Sequence, residues 1–276
     1  MKKLFVLSVI LILVVPLKAT TIIVDQNGGG PFTTIQAGIS AASSGDTVKV
    51  WPGIYNTEQV DLNKNITLMG SGYENTVITG NFNPTIFVKS GRLQWFRICS
   101  TNGRGIELSG GTVKNCVIVG SSSDGIYVLS GTSQVINCVL YQNGGYGIYA
   151  PSSGVVNVTN SISRSNGGPY NYRGNSGLTS LYLSYSNGSR VWTAGNQGCV
   201  DCNPPFQNPP LDFHIAEDPS CSWNTGNPSL PDPDGSIGDM GYFGGPDCPI
   251  YPTVVEILIE PNGNNINLKA KARANY

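Results

Sequence analysis

The chain has 276 residues with a formal net charge of −1, and only 12% of its residues are charged. No basic patch exists to recruit nucleic acid, which removes that class of partner. Gly is abundant at 35 residues, yet apolar residues make up 39% and are spread along the chain, so disorder is excluded and one large all-β domain is the natural size class.

The first predicted element is a leader. Lys2 and Lys3 precede an apolar run from Leu4 to Val15, Pro16 breaks it, and Leu17-Lys18-Ala19 offers a small-residue cleavage point. This pattern predicts a secretory signal peptide over residues 1–19, a secreted or cell-surface location, and no transmembrane anchor after cleavage. Removing Lys2, Lys3 and Lys18 lowers the formal charge from −1 to −4. One domain is expected over 20–247, and a separate segment over 248–276.

Residues 29–55, "GGPFTTIQAGISAASSGDTVKVWPGIY", predict a short helix capped by Thr33 or Thr34, with Ile35, Ile39 and Ala42 on one face. Gly45-Asp46 ends it, and Thr47 to Trp51 read as a strand. "KNITLMGSG" (64–72) and "NTVITGNFNPTIFV" (75–88) follow with a looser repeat texture.

The repeat is clearest in "WFRICSTNGRGIEL" (95–108), "NCVIVGSSSDGIYV" (115–128) and "NCVLYQNGGYGIYA" (137–150), with a weaker copy from Asn160. Each copy reads as two short strands around a Gly/Ser/Asn turn, too little to fold alone. Stacking copy on copy in parallel buries their inward faces in one column, which is solenoid logic. Equivalent residues then become neighbours. Ile106, Ile126 and Ile148 form one expected inward stack, and Leu108, Val128 and Ala150 another. Phe96, Cys116, Cys138 and Ser161 form a third. Asn115, Asn137 and Asn160 form a ladder at a bend, with amides expected to bond one another and the turn backbone.

The order "FTTIQAGISAASSGDTVKVWPGIYN…NITLMGSG" resembles the entry to right-handed, pectin-lyase-like parallel β-helix proteins. "LDFHIAEDPSCSWNTG" and "DPDGSIGDMGYFGGP" are similar to the closing segment of many secreted bacterial members. The resemblance implies an all-β, single-stranded right-handed solenoid with a helical N-terminal cap and an irregular C-terminal cap. That group includes pectin methylesterases and polysaccharide lyases as well as proteins without assigned activity. The esterases' paired Asp carboxylates with Arg and Gln have no matching segment here, and the lyases' acid cluster for Ca²⁺ is missing from the central coils. Asp124, Arg104 and Arg97 are therefore weak catalytic candidates, since one acid and a nearby base do not make an acid/base pair.

Tyr127 and Tyr149 occupy equivalent outward positions, with Glu107 below and Tyr172 read as continuing the row. Such a stripe suits sugar rings, which present C–H faces to aromatic systems. Stacking for stability alone gives the same pattern and is the simpler account. His214 is the sole His and reads as a structural residue of a strand.

Asp232, Asp234 and Asp239 gather around Gly235. This spacing fits either a loop wrapped round a structural Ca²⁺ or a solvated Asx-rich turn, and no other cofactor is required. Of seven Cys, Cys99, Cys116 and Cys138 sit in apolar runs as core residues. Cys199, Cys202, Cys221 and Cys248 lie in Gly/Pro-rich sequence and suit two disulfides of undetermined pairing. Residues 248–276 read as a hairpin or the start of a further module.

The favoured function is non-catalytic: binding an extracellular polysaccharide or cell-surface glycan, or serving as a surface scaffold. The alternative is a carbohydrate-active enzyme, a polysaccharide lyase or esterase, with a divergent site.

Overall fold

Strands of two to five residues have no stability of their own and hold only through neighbours. In the computed structural model, which describes residues 19–56, 58–177, 180–215, 221–248, 251–262 and 265–275, they pair with their equivalents in the next coil. The expected leader lies outside the described residues except for Ala19. Three parallel sheets of nine, seven and six strands result, the walls of a β-solenoid.

One central coil shows the path. Ile106–Leu108 joins the seven-stranded sheet, Gly111–Lys114 the nine-stranded sheet and Val117–Val119 the six-stranded sheet, before the chain re-enters at Ile126–Val128. Each copy thus has three strands where its sequence reads as two. The strand that escapes notice carries one inward apolar side chain, Val113, between polar outward ones, so it makes no apolar run.

The register follows the repeat. Ile106 lies opposite Ile126 and Ile126 opposite Ile148, while Leu108 lies opposite Val128. Ile86 and Val60 extend the first column toward the N-terminus. Phe96, Cys116 and Cys138 are stepped by Val117 N–H donating to Phe96 O, Val139 N–H to Cys116 O and Ile162 N–H to Cys138 O. All these side chains are fully buried.

Tyr172 corrects the expected outward row. It lies opposite Ile148, inside the solenoid, and Arg173 takes the place opposite Tyr149. A slip of one residue exchanges the faces of a strand. The buried phenol is satisfied because its hydroxyl donates to Ser161 O at 2.9 Å.

At the N-terminal end the helix Ile35–Ala41 closes the column. Thr34 Oγ1 accepts from Ala37 N–H at 3.3 Å, and the Glu58 carboxylate accepts from Ile35 and Gln36 N–H, so the orphan donors of the first turn are met. A Cβ at Gly38 would fall 2.5 Å from a Val24 methyl, so glycine is what lets the helix lie this close.

The closing segment is expected to cap the solenoid's end. It runs instead back along its side, as a strap over the six-stranded sheet. Asn227 N–H donates to Asn160 Oδ1 at 2.7 Å. Asn137 Nδ2 donates to Asp239 O and Gly241 O at 3.2 and 3.3 Å. Asn115 Nδ2 donates to Tyr242 O and Gly244 O at 2.6 and 3.1 Å, and Trp95 Nε1 to Asp247 O at 3.1 Å. The Asn ladder is therefore a row of anchors for the strap, not a self-bonded stack. Trp95, Asn115, Asn137 and Asn160 all have φ between 42° and 66°, the left-handed region that Asn tolerates best among residues with a side chain.

Beneath the strap lies a second apolar cluster. Val117, Val119, Val139 and Ile162 meet Phe213, Met240, Tyr242 and Phe243, with Tyr73 among them. This explains why Val117–Val119 is buried at every position: both faces of that sheet are covered. One of the two expected disulfides is present, Cys202–Cys221. Cys199 packs on the solenoid core and Cys248 in the strap cluster, so the geometry separates them. Tyr251–Asn262 and Asn265–Asn275 pair antiparallel as a hairpin. Among the described residues no helix is long and apolar enough to cross a membrane.

Asn137→Ala removes both bonds to the strap and places a Cβ-bearing residue without a polar side chain at φ 51°. The expected loss is about 3 kcal/mol in urea unfolding, from roughly 1 kcal/mol per hydrogen bond plus the left-handed strain. Asn137→Gly keeps the turn and loses only the bonds, so it is expected to cost about 2 kcal/mol. Equal losses in the two variants would show that turn strain contributes nothing.

Candidate functional site

Period-2 alternation turns one residue of each three-residue strand outward. On the seven-stranded sheet the outward column reads Asp61, Phe87, Glu107, Tyr127, Tyr149, Arg173 and Val191. Parallel pairing spaces these side chains by about 4.8 Å. Among them Phe87, Glu107, Tyr127, Tyr149 and Arg173 are half-buried, and Trp192 at the end of the row is 48% exposed.

Neighbouring turns add groups to this column. The Arg104 guanidinium lies 3.4 Å from the Tyr127 ring centroid, and its Nη1 is 3.0 Å from Glu107 Oε2. Tyr127 and Tyr149 meet edge-on, with centroids 5.8 Å apart. Tyr146 lies 5.0 Å from Tyr149. Arg173 sits 5.0, 5.1 and 5.2 Å from the rings of Tyr146, Tyr149 and Trp192, and it donates to the Tyr146 hydroxyl. The result is a continuous band of aromatic rings and guanidinium groups along the solenoid axis.

Asp124 stands at the edge of this band and is 8% exposed. Its Oδ1 accepts from Tyr146 N–H at 2.8 Å, which braces the turn of the next coil. Burial pushes its carboxyl above the usual range, opposed by that N–H and by the charges of Arg104 and Arg173. Glu107, the other carboxylate here, is held by Arg104. The band thus brings Arg104 and Asp124 beside Glu107, Tyr127 and Tyr149, two groups that the sequence reading keeps apart.

Two expected members lie elsewhere. Tyr172 is inside the core, as described. Arg97 is on the six-stranded sheet, opposite Val77 and Val117, where its Nη1 donates to Pro210 O at 3.0 Å. It holds the strap and is not on Asp124's face, because the turn over residues 99–105 separates the six-stranded from the seven-stranded sheet. Arg173, Tyr146 and Trp192 are the members that sequence reasoning misses. Arg173 is legible only once Tyr172 is placed inward.

His214 packs in the strap, its Nδ1 2.7 Å from Asp212 Oδ1 and its ring stacked 3.6 Å from Phe243. The three aspartates around Gly235 serve different donors. Asp232 accepts from Asp239 and Gly245 N–H, Asp239 from Asn224 N–H at 2.6 Å, and Asp234 from Ser236 N–H and Oγ. Among the described residues no group of three His, Cys, Asp or Glu side chains is arranged to hold a metal ion.

Residues 104–197 match a family model described as the right handed beta helix region, and the coils continue on both sides of that stretch. The parallel β-helix expected from the sequence therefore holds for the fold. Two solved structures are similar at low identity. Pectin methylesterase from carrot shares 15% identity with a TM-score of 0.42, over 68% of this chain and 64% of that enzyme. Pectin methylesterase PemA from Erwinia chrysanthemi shares 13% with a TM-score of 0.42, over 69% of this chain and 72% of that enzyme. No curated protein matches the sequence.

The strap carries a pH dependence. Burial raises Asp232 to about 6 and Asp239 to about 7, from an ordinary 3.8. The folded state thus holds protons that the unfolded chain has released. That stability is fully present below pH ~4 and is lost as pH rises through 6 and 7, on the order of a few kcal/mol. Thermal unfolding between pH 4.5 and 8 is expected to show this decline, and Asp239→Asn to flatten most of it. A melting temperature that rises across that interval in the native chain would contradict the assignment.

Proposed function

We propose that the protein binds polysaccharide outside the cell along the outward face of the seven-stranded sheet. The observation that carries the reading is the open band of rings and guanidinium groups on that face, while the outward face of the six-stranded sheet lies under the strap. A polymer laid along the axis meets a new strand every ~4.8 Å, so weak contacts add along its length. Tyr149 and Trp192 offer ring surface to sugar C–H faces. Arg173 has no carboxylate within salt-bridge distance among the described residues, which suits it to an acidic group on the polymer.

A second reading has its own observation. Asp124 is a buried carboxylate whose pKa is raised, beside Arg104 and Arg173, and this is how a general acid is held. Against it, Glu107 is tied to Arg104, so a second free carboxylate is lacking.

Retention on immobilised acidic and neutral polysaccharides tests the binding reading, with polymer length followed in the same samples. Tyr149→Ala and Arg173→Ala are each expected to lower retention on acidic polymers about tenfold, which is ~1.4 kcal/mol per contact. Unchanged retention in both variants would remove the face from consideration. Polymer shortening that disappears in Asp124→Asn would establish the enzymatic reading instead.

A further inference from the structure

The nine-stranded sheet has an outward face that the polysaccharide reading leaves unused. On its strand Arg92–Gln94, Leu93 points into the core while Arg92 and Gln94 point out. A cleft of about 450 Å³ opens beside them, lined by Met69, Arg92, Gln94, Trp95 and the strap residues Pro246, Asp247 and Cys248. Its far wall is the end of the strap. That wall is fixed by the Lys114–Asp247 ion pair at 2.5 Å and by the Trp95 Nε1–H bond to Asp247 O at 3.1 Å. The volume falls within the range of small-molecule sites, about 300–1,000 Å³.

Gln94 is the unusual member. It is 5% exposed, and its Oε1 has no hydrogen-bond partner. A buried amide oxygen without a donor costs about 1–3 kcal/mol, and such groups are rare in folded proteins. The strand registers Gln94 between Met69 and Lys114, and the contact that Lys114 Nζ makes is to Asp247 Oδ2 at 2.5 Å. An incoming O–H group would supply the missing donor. Arg92 is exposed at the cleft's edge and has no carboxylate within salt-bridge distance among the described residues. Its planar fork matches a carboxylate. Trp95 and Met69 provide an apolar wall for a ring.

We propose that this cleft binds a polyhydroxylated carboxylate of sugar-acid type. A ligand hydroxyl donates to Gln94 Oε1, the carboxylate accepts from Arg92, and the ring lies against Trp95 and Met69. The ligand is either a free sugar acid or the acidic terminal unit of a polymer, since both present the same groups. The site is separate from the aromatic band: it lies on a different sheet and shares no residue with it.

Calorimetry of the full chain with D-glucuronate, D-glucose and acetate tests the assignment. Glucuronate is expected to bind, glucose about tenfold more weakly for want of the Arg92 contact, and acetate without measurable heat. Gln94→Met, near in shape but without the amide oxygen, and Arg92→Ala are each expected to weaken glucuronate about tenfold while leaving the melting temperature close to that of the native chain. A glucuronate-terminated oligosaccharide separates the two sources: tighter binding than glucuronate assigns a polymer end, and equal binding assigns the free acid. The proposal is overturned by no heat with glucuronate, by glucose binding equally well, or by unchanged affinity in both variants. Arg173→Ala is expected to leave glucuronate binding unchanged. Loss of binding in that variant would place the ligand on the aromatic band and remove the cleft, so the two sites fail independently.

Discussion

The left-handed turn at Trp95, Asn115, Asn137 and Asn160 is the constraint on which the architecture rests. Each coil must turn sharply between the nine-stranded and six-stranded sheets, and a single residue at positive φ does this. Asn accepts that conformation at lower cost than most residues with a side chain. The cost is a buried amide that needs partners. Strap carbonyls from Asp239, Gly241, Tyr242 and Gly244 accept from the amide nitrogens of Asn115 and Asn137. Turn and strap are thus one device: the same residue that bends the coil fixes the segment that covers it.

That coupling divides the surface. Because the strap lies over the six-stranded sheet, Val117 and Val139 serve a second core, and Arg97 is spent on Pro210 O. The seven-stranded sheet keeps its outward face, and there the half-buried rings and guanidinium groups collect. The cleft beside Gln94 exists only because the strap ends against Trp95 and Lys114. A single turn geometry therefore decides which faces are available for binding and which are interior.

The electrostatics follow the same division. On the aromatic band, Arg173 sits among the rings of Tyr146, Tyr149 and Trp192, an arrangement that holds a cation without neutralising it, whereas Arg104 is paired with Glu107. In the strap, Asp232 and Asp239 are buried with only backbone donors opposing the burial, so both favour their protonated forms. The first arrangement leaves charge available to a ligand, and the second makes the cover itself sensitive to pH.

The sequence alone determined the solenoid, the inward columns through Ile106–Ile126–Ile148 and Phe96–Cys116–Cys138, a short helix near Ile35–Ala42 capped by Thr33 or Thr34, and the outward pair Tyr127 and Tyr149. Repetition makes these legible, since equivalent positions become neighbours by parallel pairing whatever else the chain does. Tertiary structure decided the rest. Tyr172 turns inward and Arg173 outward because the weaker copy shifts by one residue, and composition does not reveal a shift of that kind. The strand Gly111–Lys114 has too little apolar pattern to announce itself. The strap's path depends on contacts between residues more than a hundred positions apart, such as Asn137 with Asp239 and Tyr73 with Tyr242. Nothing local in "DPDGSIGDMGYFGGP" distinguishes a cap on the end from a cover along the side, because only the carbonyls that meet the Asn ladder tell them apart.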